Sequence, residues 1–179
     1  NSRTRYGVIA IIQHWLIACL VVGLFAVGIY MVDLSYYDPL SRQLPDLHRS
    51  IGILLAILIA VDFVFRLTQV SPGELPTHSL VEFKLAKIVR WLLRVVLVVV
   101  IISGYLISTA KGAAIPVFDW FSIPATLSSI PDQEVLAGQV HWVLAYLLVF
   151  IATGHGCAAL KHHFIDKDTT LKRMLKFDR

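Results

Sequence analysis

The chain reads as an all-α integral-membrane protein, a four-helix bundle with two histidine sites stacked across the membrane. Three observations predict this. Of its 179 residues 57% are hydrophobic and only 16% are charged, with a mean hydropathy of +0.73, well outside soluble composition. Four apolar runs are each long enough to cross a hydrocarbon core of about 30 Å. Four histidines, His14, His48, His141 and His155, sit in or at the edge of those runs, where an ionisable side chain is costly and marks function.

The runs are approximately Val8–Val32, Leu47–Phe65, Ile88–Ser108 and Leu136–Leu160. The first does not read as a cleaved signal peptide, being too long and containing Gln13, His14 and Trp15. Residues 1–179 are expected to form one transmembrane domain, with no repeat and no low-complexity segment. Basic residues give the orientation. Arg3 and Arg5, then Arg66, Lys84, Lys87, Arg90 and Arg94, then the tail from Lys161 to Arg179 fall on one side. The other side has Arg42, Arg49 and Lys111 against six acids, Asp33, Asp38, Asp46, Asp119, Asp132 and Glu134. Both termini are therefore expected on the cytoplasmic side, with the spans in contact with lipid. The pI near 9.2 reflects this topology; the positive charge is divided among membrane-flanking segments and gives no nucleic-acid partner. Trp15, Trp91, Trp142, Tyr6 and Tyr105 lie near span ends, as interfacial aromatics do.

Three connections join the runs. Asp33–Asp46, with LSYYDPL, is expected to be a short external loop, and Thr68–Glu82, with Pro72, Gly73 and Pro76, a cytoplasmic turn. In the longest, Thr109–Val135, the stretch PVFDWFSIPATL suits either a short amphipathic surface helix or a folded loop.

The histidines carry the functional reading. His141 and His155 lie fourteen residues apart, almost four turns, so both leave one helix face about 21 Å apart along the axis. If the chain crosses back and forth, His14 reaches the depth of His155 and His48 that of His141. Two bis-histidine sites result, one near each membrane surface. Any one of these residues alone could be an interhelical hydrogen-bonding histidine; two depth-matched pairs argue for metal ligation. Zinc would draw three or four donors to one point, whereas two axial imidazoles leave the equatorial plane for a porphyrin. Cys19 and Cys157 form no C-x-x-C-H, so covalent c-type attachment is not indicated. Gly52 lies one turn from His48, Gly138 almost one turn from His141, and Gly154 and Gly156 flank His155. Glycine there admits a flat macrocycle, or serves plain helix packing.

These residues resemble the bacterial cytochrome b561 family. The resemblance rests on IIQHWL, LHRSIGILL, SGYLI and HWVLAYLLVFIATGHGCAALKHHF and covers nearly the whole chain. RYGVI, LSYYD, GYLISTA and ALKHHFIDKDTTLKRM are most similar to an inner-membrane b561-like branch distinct from the founding member. The resemblance implies two non-covalent haems b, with His14 and His155 on the cytoplasmic iron and His48 and His141 on the periplasmic iron. It also implies ubiquinone as the cytoplasmic-side substrate and, in the founding branch, superoxide as periplasmic donor, which would make the protein a superoxide:ubiquinone oxidoreductase. Members often carry histidines at the start of the third helix; this chain has Lys87 and Arg90 there.

The acid excess of the outer face is a poor funnel for a superoxide anion. A periplasmic redox partner, or reversed flow out of quinol, fits the residues as well. The competing class is a cytochrome b membrane-anchor subunit that passes electrons for a separate dehydrogenase or hydrogenase. Arg49 suits either a haem propionate or a solvated loop end. Arg66, Arg90 and Arg94 suit propionates or headgroups. Asp62, four residues before Arg66, is expected to pair with it. His162, seven residues past His155, suits a quinone border, a proton carrier or a surface position, and His78 has no special role.

Overall fold

The computed structural model describes residues 5–70, 72–73 and 79–175. Four long helices, α1 (Val8–Val32), α2 (Leu40–Leu67), α3 (Leu80–Thr109) and α4 (Gln133–Phe164), account for most of them. A two-stranded antiparallel hairpin, β1 (Ile115–Val117) and β2 (Phe121–Ile123), interrupts the connection between α3 and α4. His78 lies outside the described residues.

The helices are longer than the apolar runs, because their ends continue beyond the hydrocarbon zone on polar residues. α2 starts at Leu40, inside the expected external loop: the Asp38 carboxylate accepts from the Leu40 amide at 2.8 Å, and Pro45 sits close enough to the start to cost one ladder bond. α3 starts at Leu80 because Ser79 and Glu82 form a reciprocal capping box. Between α3 and α4 the chain folds as a hairpin rather than an amphipathic helix. Val117 and Ile115 are buried against the flank of α2. Tyr105 pins the following loop to α3: its hydroxyl donates to the Pro124 carbonyl at 2.9 Å and accepts from the Thr126 amide at 2.8 Å.

α1, α2 and α4 are long and apolar enough to cross a membrane by length and composition. α3 carries Lys84, Lys87, Arg90 and Arg94 in its first half and runs antiparallel to α4. At one end Lys161 Nζ meets Glu82 at 2.8 Å; at the other Gln133 Nε2 donates to the Leu106 carbonyl at 3.0 Å. The helices associate as two close pairs, α1 with α2 and α3 with α4, while α1 and α4 barely touch. Leu55, Val96, Leu97 and Leu148 form the buried centre, with Leu20, Leu24, Leu58, Leu93 and Leu144 packed around it. Outward-facing side chains such as Phe150, Trp142 and Val22 are more than half exposed, the surface a lipid environment covers. Beyond α4 the chain turns back, and the Trp15 indole donates to the Met174 carbonyl at 2.6 Å. This tail end and the opposite hairpin end are the two faces of the bundle.

Candidate haem sites

At the hairpin end, α2 and α4 bring His48 and His141 face to edge, with ring centroids 6.2 Å apart and planes at 71°. Two imidazoles on one first-row metal, each bonded at about 2 Å, need roughly this centroid separation. Each ring leans on a glycine of the neighbouring helix. A Cβ at Gly28 of α1 would lie 3.4 Å from His48 Cε1; one at Gly104 of α3 would lie 3.1 Å from His141 Cε1.

His141 is held by hydrogen bonding. Its Nδ1 lies 2.9 Å from the Val100 carbonyl, which can only accept, so Nδ1 carries the proton and Nε2 is left as a donor pair for a metal. The buried Ser103 hydroxyl donates to the same carbonyl at 2.8 Å and lies 3.2 Å from Nδ1. His48 Nδ1 is buried and makes no close hydrogen bond; the Leu24 backbone is the polar group that faces it. Beside it is a cleft lined by Cys19, Gly23, Leu24, Val27, Leu47 and Ile51. Side-chain atoms added at Gly52, Gly138 or Gly23 would enter open space. A pair of imidazoles at metal-bridging separation, beside an apolar cleft with bare glycine backbone, fits a bis-histidine haem.

Arg49, beside His48, points to Asp46 in an ion pair, which offsets its charge. At the tail end, His14 on α1 and His155 on α4 lie within electrostatic reach of one another, with Arg66 and Asp62 near His14 and Arg90 near His155. Cβ atoms at Gly154 and Gly156 would also meet open space. Asp62 and Arg66 form the expected pair, Nε to Oδ2 at 2.6 Å. His162 Nδ1 meets Asp166 at 2.8 Å and Asp168 at 3.1 Å. Lys161 bridges Glu82 and Asp166.

Residues 5–177 match the family model for prokaryotic cytochrome b561. The chain belongs to this family. Its haem b-binding character follows from that membership, and with the apolar helices it makes the chain an integral membrane protein. The chain is 48% identical to cytochrome b561 homolog 2 of Escherichia coli (strain K12), over 98% of this chain and 93% of that relative. It is 27% identical to the probable superoxide oxidase CybB of Yersinia pestis, over 96% of each chain. Cytochrome b561 homolog 1 of Escherichia coli (strain K12) is 22% identical, over 96% of this chain and 97% of that relative.

Ser103, Gly104, Gly28 and Val100 did not stand out as site residues in the sequence. Ser103 and Gly104 lie in the SGYLI stretch that carries the b561 resemblance, but nothing local assigns them to His141. Val100 acts through its carbonyl, which no side-chain pattern reveals.

Proposed function

We propose that residues 1–179 act as a single di-haem b-type cytochrome domain that moves electrons across the bacterial inner membrane, between a periplasmic donor and the ubiquinone pool. The observation that carries this is the pair of histidine sites at opposite ends of one bundle. His48 and His141 have ring centroids 6.2 Å apart at the hairpin end, and His14 on α1 and His155 on α4 both lie at the tail end.

His48 and His141 hold the periplasmic haem and His14 and His155 the cytoplasmic one. Each haem supplies one-electron redox chemistry when bound. The chain's residues set axial ligation, spacing and dielectric. Val100 orients His141, Gly28 and Gly104 admit the two hairpin-end rings, and Gly52 leaves backbone bare beside His48. Leu144 and Leu148 lie between the two ligands of α4 and keep the middle of the bundle apolar. Both termini are cytoplasmic, so the hairpin faces the periplasm and the basic tail end faces the quinone-exchange side. Arg49 belongs to the periplasmic site; its pairing with Asp46 leaves little positive field to collect superoxide, and favours another donor.

The test is haem stoichiometry with a redox titration. The purified chain should yield two acid-acetone-extractable haems b by pyridine haemochrome, both six-coordinate and low-spin, titrating as two centres. One haem per chain, or haem that resists extraction, overturns the reading.

A further inference from the structure

The hairpin tip presents an unusual combination. Phe118 and Asp119 both occupy the left-handed region, with φ of 45° and 59°. Turns of this kind favour Asn, Asp or Gly, and a bulky aromatic there is strained. Phe118 and Trp120 pair at this tip, centroids 5.4 Å apart, with Phe118 38% and Trp120 72% exposed. Asp119 lies between them in the chain. The tip is tied to the candidate haem site: the Phe118 amide donates to the Ser50 hydroxyl at 3.3 Å, and Ser50 is two residues beyond His48.

The same end is acidic. Arg49 is matched by Asp46 and Lys111 by Glu134. Arg42 then remains against Asp33, Asp38, Asp119 and Asp132, which have no ion pair among the described residues. An anchored aromatic knob within an acidic face has the composition of an electrostatically steered interface: aromatic anchors give hold, and charge gives encounter rate.

We propose that the hairpin tip, Phe118–Trp120, with the acidic rim of Asp33, Asp38 and Asp132, is the docking surface for a soluble, basic redox protein. This rests on the reading of the hairpin end as the side of electron entry. A lysine-rich surface complements the rim, whereas the carboxylate at the tip disfavours insertion among anionic headgroups. One electron passes from the reduced partner, which is oxidised, to the cofactor at the His48–His141 end, which is reduced. No bond is made or broken and no proton moves. Such an encounter is small and transient, as redox pairs are.

The probe is a lysine-rich c-type cytochrome, tested against the same protein with its lysines succinylated, on the full haem-loaded chain in phosphatidylcholine nanodiscs. Interferometry should show the native probe binding, with Kd rising roughly tenfold between about 20 and 200 mM salt, and the succinylated probe not binding. Asp119→Asn, which keeps a residue suited to the turn, Asp119→Lys and Trp120→Ala should each weaken binding at least about fivefold. Haem content and the dithionite-reduced spectrum should not change. Binding independent of salt, or unaltered by Asp119→Lys and Trp120→Ala, overturns the proposal. So does quenching by brominated acyl chains of the fluorescence lost in Trp120→Phe, which would make the tip a lipid anchor. A chain without haem defeats the electron-carrier reading instead, while a haem-loaded chain that fails to bind defeats only the docking surface.

Discussion

The His141 ring is clamped between a Val100 carbonyl that accepts from its Nδ1 at 2.9 Å and a Gly104 backbone on which a Cβ would stand only 3.1 Å from its Cε1. Both lie on α3, one turn apart, so a single helix sets the tautomer and the position of a ligand on its neighbour. A ring that gives way to a side chain at Gly104 stretches its bond to Val100, and the branched side chain of valine asks for more than the few tenths of an ångström a Cβ alone would need. Gly104→Val should therefore lower haem affinity at the hairpin-end site by about 10–100-fold, read as loss of one of two haems on dilution. Gly28→Ala, whose Cβ would meet His48 at an ordinary 3.4 Å, should cost much less.

Pairing gives a second prediction. His48→Ala and His141→Ala should each remove the periplasmic haem and leave the cytoplasmic one, and His14→Ala and His155→Ala should do the reverse. Redox-titrated difference spectra of the four variants should fall into two classes. If His14→Ala and His48→Ala perturb the same centre, the pairing is wrong.

The tail end should show a pH window. A hydrogen bond from Lys161, followed by those from Ser79, holds the Glu82 carboxyl at about 2, below its ordinary 4.5. Hydrogen bonds to Asp166 and then Glu82 push Lys161 above its ordinary 10.5. A lowered carboxyl pKa contributes stability above the unfolded value, lost as pH falls toward 2. A raised lysine pKa contributes below its unfolded value, lost as pH rises past it. The clamp is thus at full strength from about pH 4.5 to 10.5. Glu82→Gln should speed amide exchange in the first turn of α3 at pH 7, modestly because the site is solvated. The difference from wild type should vanish near pH 2.

Arg49 tests the donor. Its charge is already met by Asp46, so Arg49→Gln should change the rate of haem reduction by superoxide less than about twofold at any salt concentration. A loss of tenfold or more, deepening at low salt, would restore superoxide as a steered substrate.

Much of this protein was legible in the chain. Apolar runs of spanning length and the fourteen-residue spacing of His141 and His155 are local or periodic properties. They led to a helical membrane bundle, and the matching motifs to the b561 family. The pairing of Asp62 with Arg66, four residues apart on one helix, was also readable. Helix ends were less so. Hydropathy marks where apolar residues stop, whereas α2 and α3 start earlier, where Asp38 and the Ser79–Glu82 box satisfy free amides.

Only the tertiary structure decided what surrounds the histidines. The Val100 carbonyl, the Gly28 and Gly104 contacts and the open space beside Gly52 depend on which helices pair and in what register, and backbone groups leave no trace in side-chain pattern. The hairpin was decided the same way: PVFDWFSIPATL has alternation enough for either element, and burial of Ile115 and Val117 on α2 selected strands. Sequence by itself determined that four histidines lie at two depths among apolar helices, because helical periodicity is a property of the chain. Packing decided how each ring is aimed, because an imidazole's direction is set by the carbonyls and glycines of a different helix.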